Sequence, residues 1–257
     1  MFDMEVCVSG QGDVDASTRG SRDWQLEALR TRIAAMSPRS VSVAARSVGD
    51  RAAGSGDEVL PVPDCLAAVL PGGGLRRGTI VGCPRGSLLL ALLAEATAAG
   101  YWSAVVGNPQ IGLLALHEMG GKLGKLAHIP DPGLDALAVV AVLLDGVDLV
   151  VLDHRGSAAA SRSRAVAARI RSHRAVLIVT APGWLRPDVT IEAQVVDYSG
   201  LGRGRGRLTG IEFELPVTGR ARQPRTTRIA LTGTGCGQTS WKSSVGWEPR
   251  TQRKQIG

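Results

Sequence analysis

Two short segments limit the fold more than anything else in this chain. VDLVVLD (residues 147–153) and AVLIVT (residues 175–180) are apolar at every central position, and a basic stretch of helical pattern lies between them. A strand with no polar side offers neither of its faces to water. It therefore belongs inside a sheet covered on both sides, which in a soluble chain is a parallel sheet with helical crossovers. The rest of residues 59–180 has the same rhythm. Strand patterns at 79–81, 102–106 and 127–129 alternate with helical patterns at 88–99, 111–122, 134–144 and 158–173. The expectation is an α/β core with a mostly parallel sheet flanked by helices.

The pattern changes after Pro187. Residues 189–196 and 208–215 alternate as antiparallel strands do, joined by the Gly/Arg stretch YSGLGRGRGRLTG, and residues 226–231 read as one more strand. Residues 22–36 read as an amphipathic helix followed by a Ser/Ala/Gly/Arg linker. The predicted organisation is an N-terminal helix plus linker over 1–58, a core domain over 59–231, and a flexible basic tail over 232–257. The helix at 22–36 is too short to stand alone, so it packs on its own core, on a second copy or on another protein.

Several function classes drop out on composition. The longest apolar run is nine residues (136–144), and no basic segment followed by an apolar run opens the chain; the expectation is a cytoplasmic protein with no membrane contact. Cys7, Cys65, Cys83 and Cys236 form no CxxC pair, and the four histidines have no ligand spacing, so neither a metal site nor a disulfide framework is expected. The formal charge of +7 is strongly segregated. Residues 88–153 carry net −5, whereas residues 154–228 carry fourteen Arg against five acids. Arginine suits bidentate contact with phosphate or carboxylate, and the C-terminal half reads equally as ordinary solvated faces or as a surface for nucleic acid or an acidic partner. The candidate contacts are Arg162, Arg164, Arg169 and Arg171 on the basic helix, Arg203, Arg205 and Arg207 in the Gly/Arg stretch, and Trp241 and Trp247 in the tail.

In order, LPGGGLRRGTIVG, an apolar helix, a strand, and then VDLVVLD followed by small residues resemble the RecA-like ATPase core over residues 59–215. With GLGRGRGRLTG and the short N-terminal helix, the likeness is greatest to ImuA-type proteins, in particular the actinobacterial ImuA′ form. That resemblance implies a RecA-like, P-loop-derived fold and a role in SOS, damage-induced mutagenic translesion synthesis. It also implies docking on an ImuB-like Y-family polymerase homologue acting with an error-prone DnaE2-type polymerase. By the same likeness DNA is a further candidate partner, the N-terminal helix a self-association element, and the nucleoid the place of action after damage.

The nucleotide chemistry of that family is missing from the sequence. A phosphate-binding loop needs GxxxxGK[ST], with glycines for converging N–H groups, a lysine for the phosphate charge and a hydroxyl for magnesium. Here Gly82-Cys83-Pro84-Arg85-Gly86-Ser87 follows the strand; Pro84 has no N–H, and no lysine precedes Lys122. Asp153 stands in the Walker B position. No carboxylate follows the second strand (GNPQ, 107–110), and Thr180-Ala181 replace the Gln after the fifth. The site is expected to be a degenerate nucleotide loop of Gly82, Arg85, Gly86 and Ser87 with Asp153, without catalytic residues, ATP or magnesium. The alternatives are a divergent ATP- and DNA-binding enzyme using Arg85 and Asp153, or a regulator of RecA filaments. TGTGCGQTS (232–240) imitates a P-loop but lacks its lysine and a following apolar helix.

Overall fold

The computed structural model describes residues 58–153, 156, 158–181, 185–202, 205–220, 222–233 and 238–244. The helix and linker expected over 1–58 lie outside these residues apart from Glu58. The strands are β1 (Val59–Leu60), β2 (Leu75–Arg76), β3 (Ile80–Gly82), β4 (Ser103–Val106), β5 (Leu126–Ile129), β6 (Leu149–Leu152), β7 (Val176–Val179), β8 (Val189–Ile191), β9 (Gln194–Gly202), β10 (Arg205–Gly219), β11 (Arg222–Gly233) and β12 (Thr239–Ser243). The helices are α1 (Asp64–Ala67), α2 (Ser87–Ala98), α3 (Leu113–Glu118), α4 (Ala136–Leu143) and α5 (Ala160–His173).

Apart from the small β1–β2 pair, the strands form one sheet in the order β12-β11-β10-β8-β3-β7-β6-β4-β5, with β9 paired to β10. The six strands from β8 to β5 are mutually parallel. From β8 onward the remaining pairings are antiparallel. The α/β class with a parallel core and antiparallel C-terminal strands is as expected.

Crossover handedness explains the layers. The steps β3→β4 and β4→β5 move along the sheet in one direction, whereas β5→β6 and β6→β7 move in the other. A right-handed crossover places helices from opposite directions on opposite faces. Accordingly Leu88, Leu89, Leu92 and Leu93 of α2 and Leu116 of α3 pack with Leu149, Val151, Val176 and Ile178 on one face. On the other face, Leu137 and Val140 of α4 and Val166 and Ile170 of α5 pack with Val150, Leu152, Leu177 and Val179. Alternate residues of β6 and β7 thus serve two cores, which is why both strands are apolar throughout.

A buried ion pair ties the approach to β3 to the start of β6. Arg77 Nη1 lies 3.1 Å from Asp148 Oδ1, both side chains are almost wholly buried, and the Trp102 amide donates to Asp148 Oδ2 at 3.0 Å. The Arg77 guanidinium also sits 5.2 Å from the Tyr101 ring centroid.

The C-terminal region differs from expectation in three respects. Residues 189–196 are not one strand: β8 ends at Ile191, and β9 begins at Gln194 on a different stretch of β10. The Gly/Arg stretch is mostly strand, since β9 runs to Gly202 and β10 starts at Arg205. Residues 239–243, assigned above to a flexible tail, form edge strand β12 paired with β11. Trp241 supplies the reason, for it joins the main core and lies 5.6 Å from Phe213 between ring centroids. A strand, not a helix, therefore follows the P-loop-like TGTGCGQTS segment. Among the described residues, no helix is long and apolar enough to cross a membrane.

Candidate functional site

In open α/β sheets, ligands bind beyond the carboxyl ends of the strands, where connections from neighbouring strands diverge. The neighbours β3 and β7 meet that condition, since the chain leaves β3 toward β4 and leaves β7 toward β8, on opposite sides. Residues 82–87, Asp153 and Thr180 gather there.

The loop is held closely. The Cys83 amide donates to the Val179 carbonyl at 3.1 Å. A Cβ at Gly82 would stand 3.1 Å from Pro187 Cγ and 3.2 Å from Thr190 Oγ1. Gly86, just before α2, has φ 131° and ψ −164°, a conformation restricted to glycine. Burial pushes the Cys83 thiol up to about 12, so it stays protonated at neutral pH and is no nucleophile.

Asp153 is 1% exposed at the end of β6 and is bound by the protein itself. Arg85 Nε and Nη2 each lie 2.7 Å from its Oδ1, and the Thr180 hydroxyl donates to the same oxygen at 2.6 Å. Its Oδ2 is buried without a hydrogen-bond partner. The loop's cation is therefore engaged by the acid that a magnesium–phosphate group would need. Lysine is absent from the loop, and Pro84 has no N–H to offer. These residues do not fit a magnesium nucleotide. Among the described residues, no group of three or more His, Cys, Asp or Glu side chains could hold a metal ion.

Beside this pair opens a cleft of about 680 Å³, lined by residues 82–84, Thr180, Ala181, residues 185–187 and residues 190–194. Its size is that of a small-molecule or side-chain site. At the end of β4, Asn108 presents its carbonyl to His128 Nε2 at 2.7 Å, and no carboxylate stands in residues 107–110.

The structure sorts the candidate contact residues into different places. On α5, Arg162 pairs with Asp135 at 2.6 Å, and Arg169 pairs with Asp145, which also has His173 Nε2 at 3.4 Å. Hydrogen bonding from Arg169 holds the Asp145 carboxyl below its usual range; the Ala138 amide, followed by Arg162, does the same for Asp135. Those two arginines brace α5 against the ends of α4. Arg164 and Arg171 are exposed and have no carboxylate partner among the described residues. Arg207 is exposed on the β9–β10 hairpin, Arg205 opens β10, and Arg203 lies outside the described residues. Trp241 is part of the core and not a free tail residue, while Trp247 lies outside the described residues. Arg85 of the 82–87 loop and Asp153 come together beyond the ends of β3 and β6. Helix α5 contributes no residue to that centre or to the cleft lining, and the hairpin contributes only Gln194, at the start of β9, to the lining.

Sequence reasoning missed three features. Thr180 as a further donor to Asp153 and the cleft both depend on strand neighbours distant in sequence. On the hairpin, Val195, Val196, Tyr198, Leu201 and Leu208 are each more than two-fifths exposed, making it an apolar as well as basic projection. The alternating Val and Leu of the two strands was the available signal.

A family model described as the MT3502 N-terminal domain matches residues 68–186, a span that includes Arg85, Asp153, Thr180 and α5 but not the antiparallel strands. Among curated proteins, the uncharacterized protein Rv3395c of Mycobacterium tuberculosis (strain ATCC 25618 / H37Rv) is 40% identical over 204 residues, covering 76% of this chain and 92% of that protein. This chain belongs to the same family as Rv3395c.

Proposed function

We propose that the protein is a non-catalytic, RecA-like accessory factor in damage-induced mutagenic translesion DNA synthesis. It docks on an ImuB-like Y-family polymerase homologue that acts with a DnaE2-type polymerase, in the cytoplasm and at the nucleoid after damage. The observation carrying this reading is the Arg85–Asp153 pair closed by Thr180. A family scaffold whose nucleotide acid is neutralised internally, and whose loop has no lysine, is suited to docking and not to hydrolysis. The β9–β10 hairpin is the docking element of this reading, because exposed Tyr198, Leu201 and Leu208 beside Arg207 combine apolar anchors with charge.

Capture of the full chain by the purified polymerase homologue tests this. Replacing Leu201 and Leu208 with Ser and Arg207 with Glu should reduce retention at least about tenfold at moderate salt, with the melting temperature held. Unchanged capture removes the hairpin, and no capture by the parent chain removes the partner. One atom favours the second reading, a divergent ATP-binding enzyme: Asp153 Oδ2 has no hydrogen-bond partner and could accept from a bound water or coordinate a cation. Nucleotide binding by the parent chain separates the two readings.

A further inference from the structure

One strand position in the sheet is left unfilled. Strands β8 and β9 lie end to end along the same edge of β10, β8 against residues 217–219 and β9 against residues 205–214. On its other edge β8 pairs with β3, Val81 beside Val189 and Gly82 beside Thr190. Strand β3 ends at Gly82, whereas the chain of β8 runs on into β9 as far as Gly202. Among the described residues β9 pairs with β10 alone, so its second edge borders a gap in line with β3. The cleft opens at the foot of this gap. It is bounded by residues 82–84 at the end of β3, by residues 190–194 leading into β9, and by residues 179–181 and 185–187 after β7.

Register fixes which side chains flank the gap, because residues opposed across an antiparallel pair share a face. Val195 stands opposite Phe213 and Tyr198 opposite Ile211, on the side that carries the main core, yet both are more than two-fifths exposed. A register shift at Val196 sets Asp197 opposite Glu212 on the other face. Two carboxylates directly opposed repel. Asp197 Oδ1 accepts from the Tyr198 amide at 2.8 Å, but neither acid has a cation within ion-pair distance among the described residues. Arg228 is taken by Glu214, and Lys242 lies two strands from Glu212 with Ala230 between them. The charged residues of the cleft lining are Glu192 and Arg186, one of each sign, so the cleft itself selects no charge.

We infer that this gap receives an extended segment of another protein, which adds a strand to the free edge of β9. Backbone hydrogen bonds to β9 supply affinity. Alternate apolar side chains of the segment cover Val195 and Tyr198 and fill the cleft. On its other face a Lys or Arg stands beside Asp197 and Glu212 and relieves their repulsion. Charge argues against other occupants. Nucleic acid would bring phosphate against the paired carboxylates. A second copy of β9 (QVVDYSGLG) contains one acid and no base, so edge-to-edge pairing about a two-fold axis would add negative charge and no counterion. The inference deepens the docking role proposed for this hairpin and rests on it for the element, not for the partner's identity.

The test uses a phage-displayed library of short linear peptides selected on the full chain. Enriched sequences should carry apolar residues at alternate positions and Lys or Arg between them. Methylating the backbone nitrogens of a synthesised winner one at a time should weaken binding about tenfold or more at alternate positions only, because only alternate amides face β9. Exchanging its Lys or Arg for Glu should cost about tenfold against the parent chain, and Asp197→Lys should restore that loss. Gln194→Trp, at an exposed position in the cleft lining, should cost a similar factor with the melting temperature held. Methylation and charge exchange on the peptide leave the parent chain intact, so they decide the matter if either variant unfolds. Failure to enrich, enrichment of helical-period or acidic peptides, or a methylation profile without alternation overturns the inference. So does displacement of the peptide by a single-stranded DNA 20-mer, or a dimer in sedimentation that Gln194→Trp dissociates. No polymerase homologue enters this test, so its failure is distinct from failure of the capture experiment above.

Discussion

Replacing Arg85 with Ala asks whether this guanidinium is a structural partner or a waiting phosphate ligand. Arg85 donates from Nε to Asp153 Oδ1 and sets Nη2 in an ion pair 2.7 Å from the same oxygen, and Asp153 is 1% exposed. Removing one partner of a fully buried pair costs about 3–5 kcal/mol, because the other charge stays behind uncompensated. Arg85 is 57% exposed, however, so water can reach the vacated position and part of that cost is recovered. The Thr180 hydroxyl also keeps its bond. The expected loss is therefore about 1–3 kcal/mol, or roughly 3–10 °C in melting temperature for a domain of this size. The assay is urea unfolding followed by circular dichroism, for the parent, Arg85→Ala, Asp153→Asn and the double variant. The cycle should give a coupling of about 1–2 kcal/mol, unchanged by millimolar magnesium and ATP. A loss under about 0.5 kcal/mol with no coupling, or coupling abolished by magnesium nucleotide, would refute the structural role.

Other outcomes follow from the same geometry. Arg77→Ala leaves Asp148 buried and should cost about 3–5 kcal/mol in urea unfolding, well above the Arg85 variant. Gly200→Ala, where φ is +83° and a Cβ would stand 2.1 Å from the Arg207 carbonyl oxygen, should speed hydrogen exchange in β9 and the start of β10 while β6 and β7 stay protected. Asp145 titrates below its usual range when folded, so the stability from its pairing with Arg169 is fully present above about pH 4 and is lost as pH falls through the depressed folded value. Asp145→Asn should flatten that acid limb in denaturation curves taken from pH 3 to 7. The Cys83 thiol should resist iodoacetamide at pH 8 in the native chain and react on unfolding, read by peptide mass spectrometry.

The parallel core was legible because β6 and β7 are apolar on both sides, a pattern with few structural solutions. The site was half legible. The missing lysine and Pro84 are plain in the sequence, but the destination of the Arg85 side chain depends on a residue 68 positions away. The α5 arginines looked alike by periodicity. Only the placement of α4 shows that Arg162 and Arg169 are consumed by Asp135 and Asp145, 27 and 24 residues back. Strand β12 escaped detection because an edge strand needs few apolar residues, and the one that matters, Trp241, stands among Thr, Ser and Lys. Splitting residues 189–196 between β8 and β9 was equally invisible, since both halves alternate and only the length of β10 separates them.

The proposed reading rests on Arg85 being held by Asp153 beyond β3 and β7, so that the loop takes no triphosphate. Titrating the purified full chain with a fluorescent ATP analogue in excess magnesium tests it most directly. The account predicts no saturable signal up to about millimolar nucleotide, for the parent and for Asp153→Asn alike. Saturable micromolar binding to the parent, lost in Asp153→Asn, would contradict it.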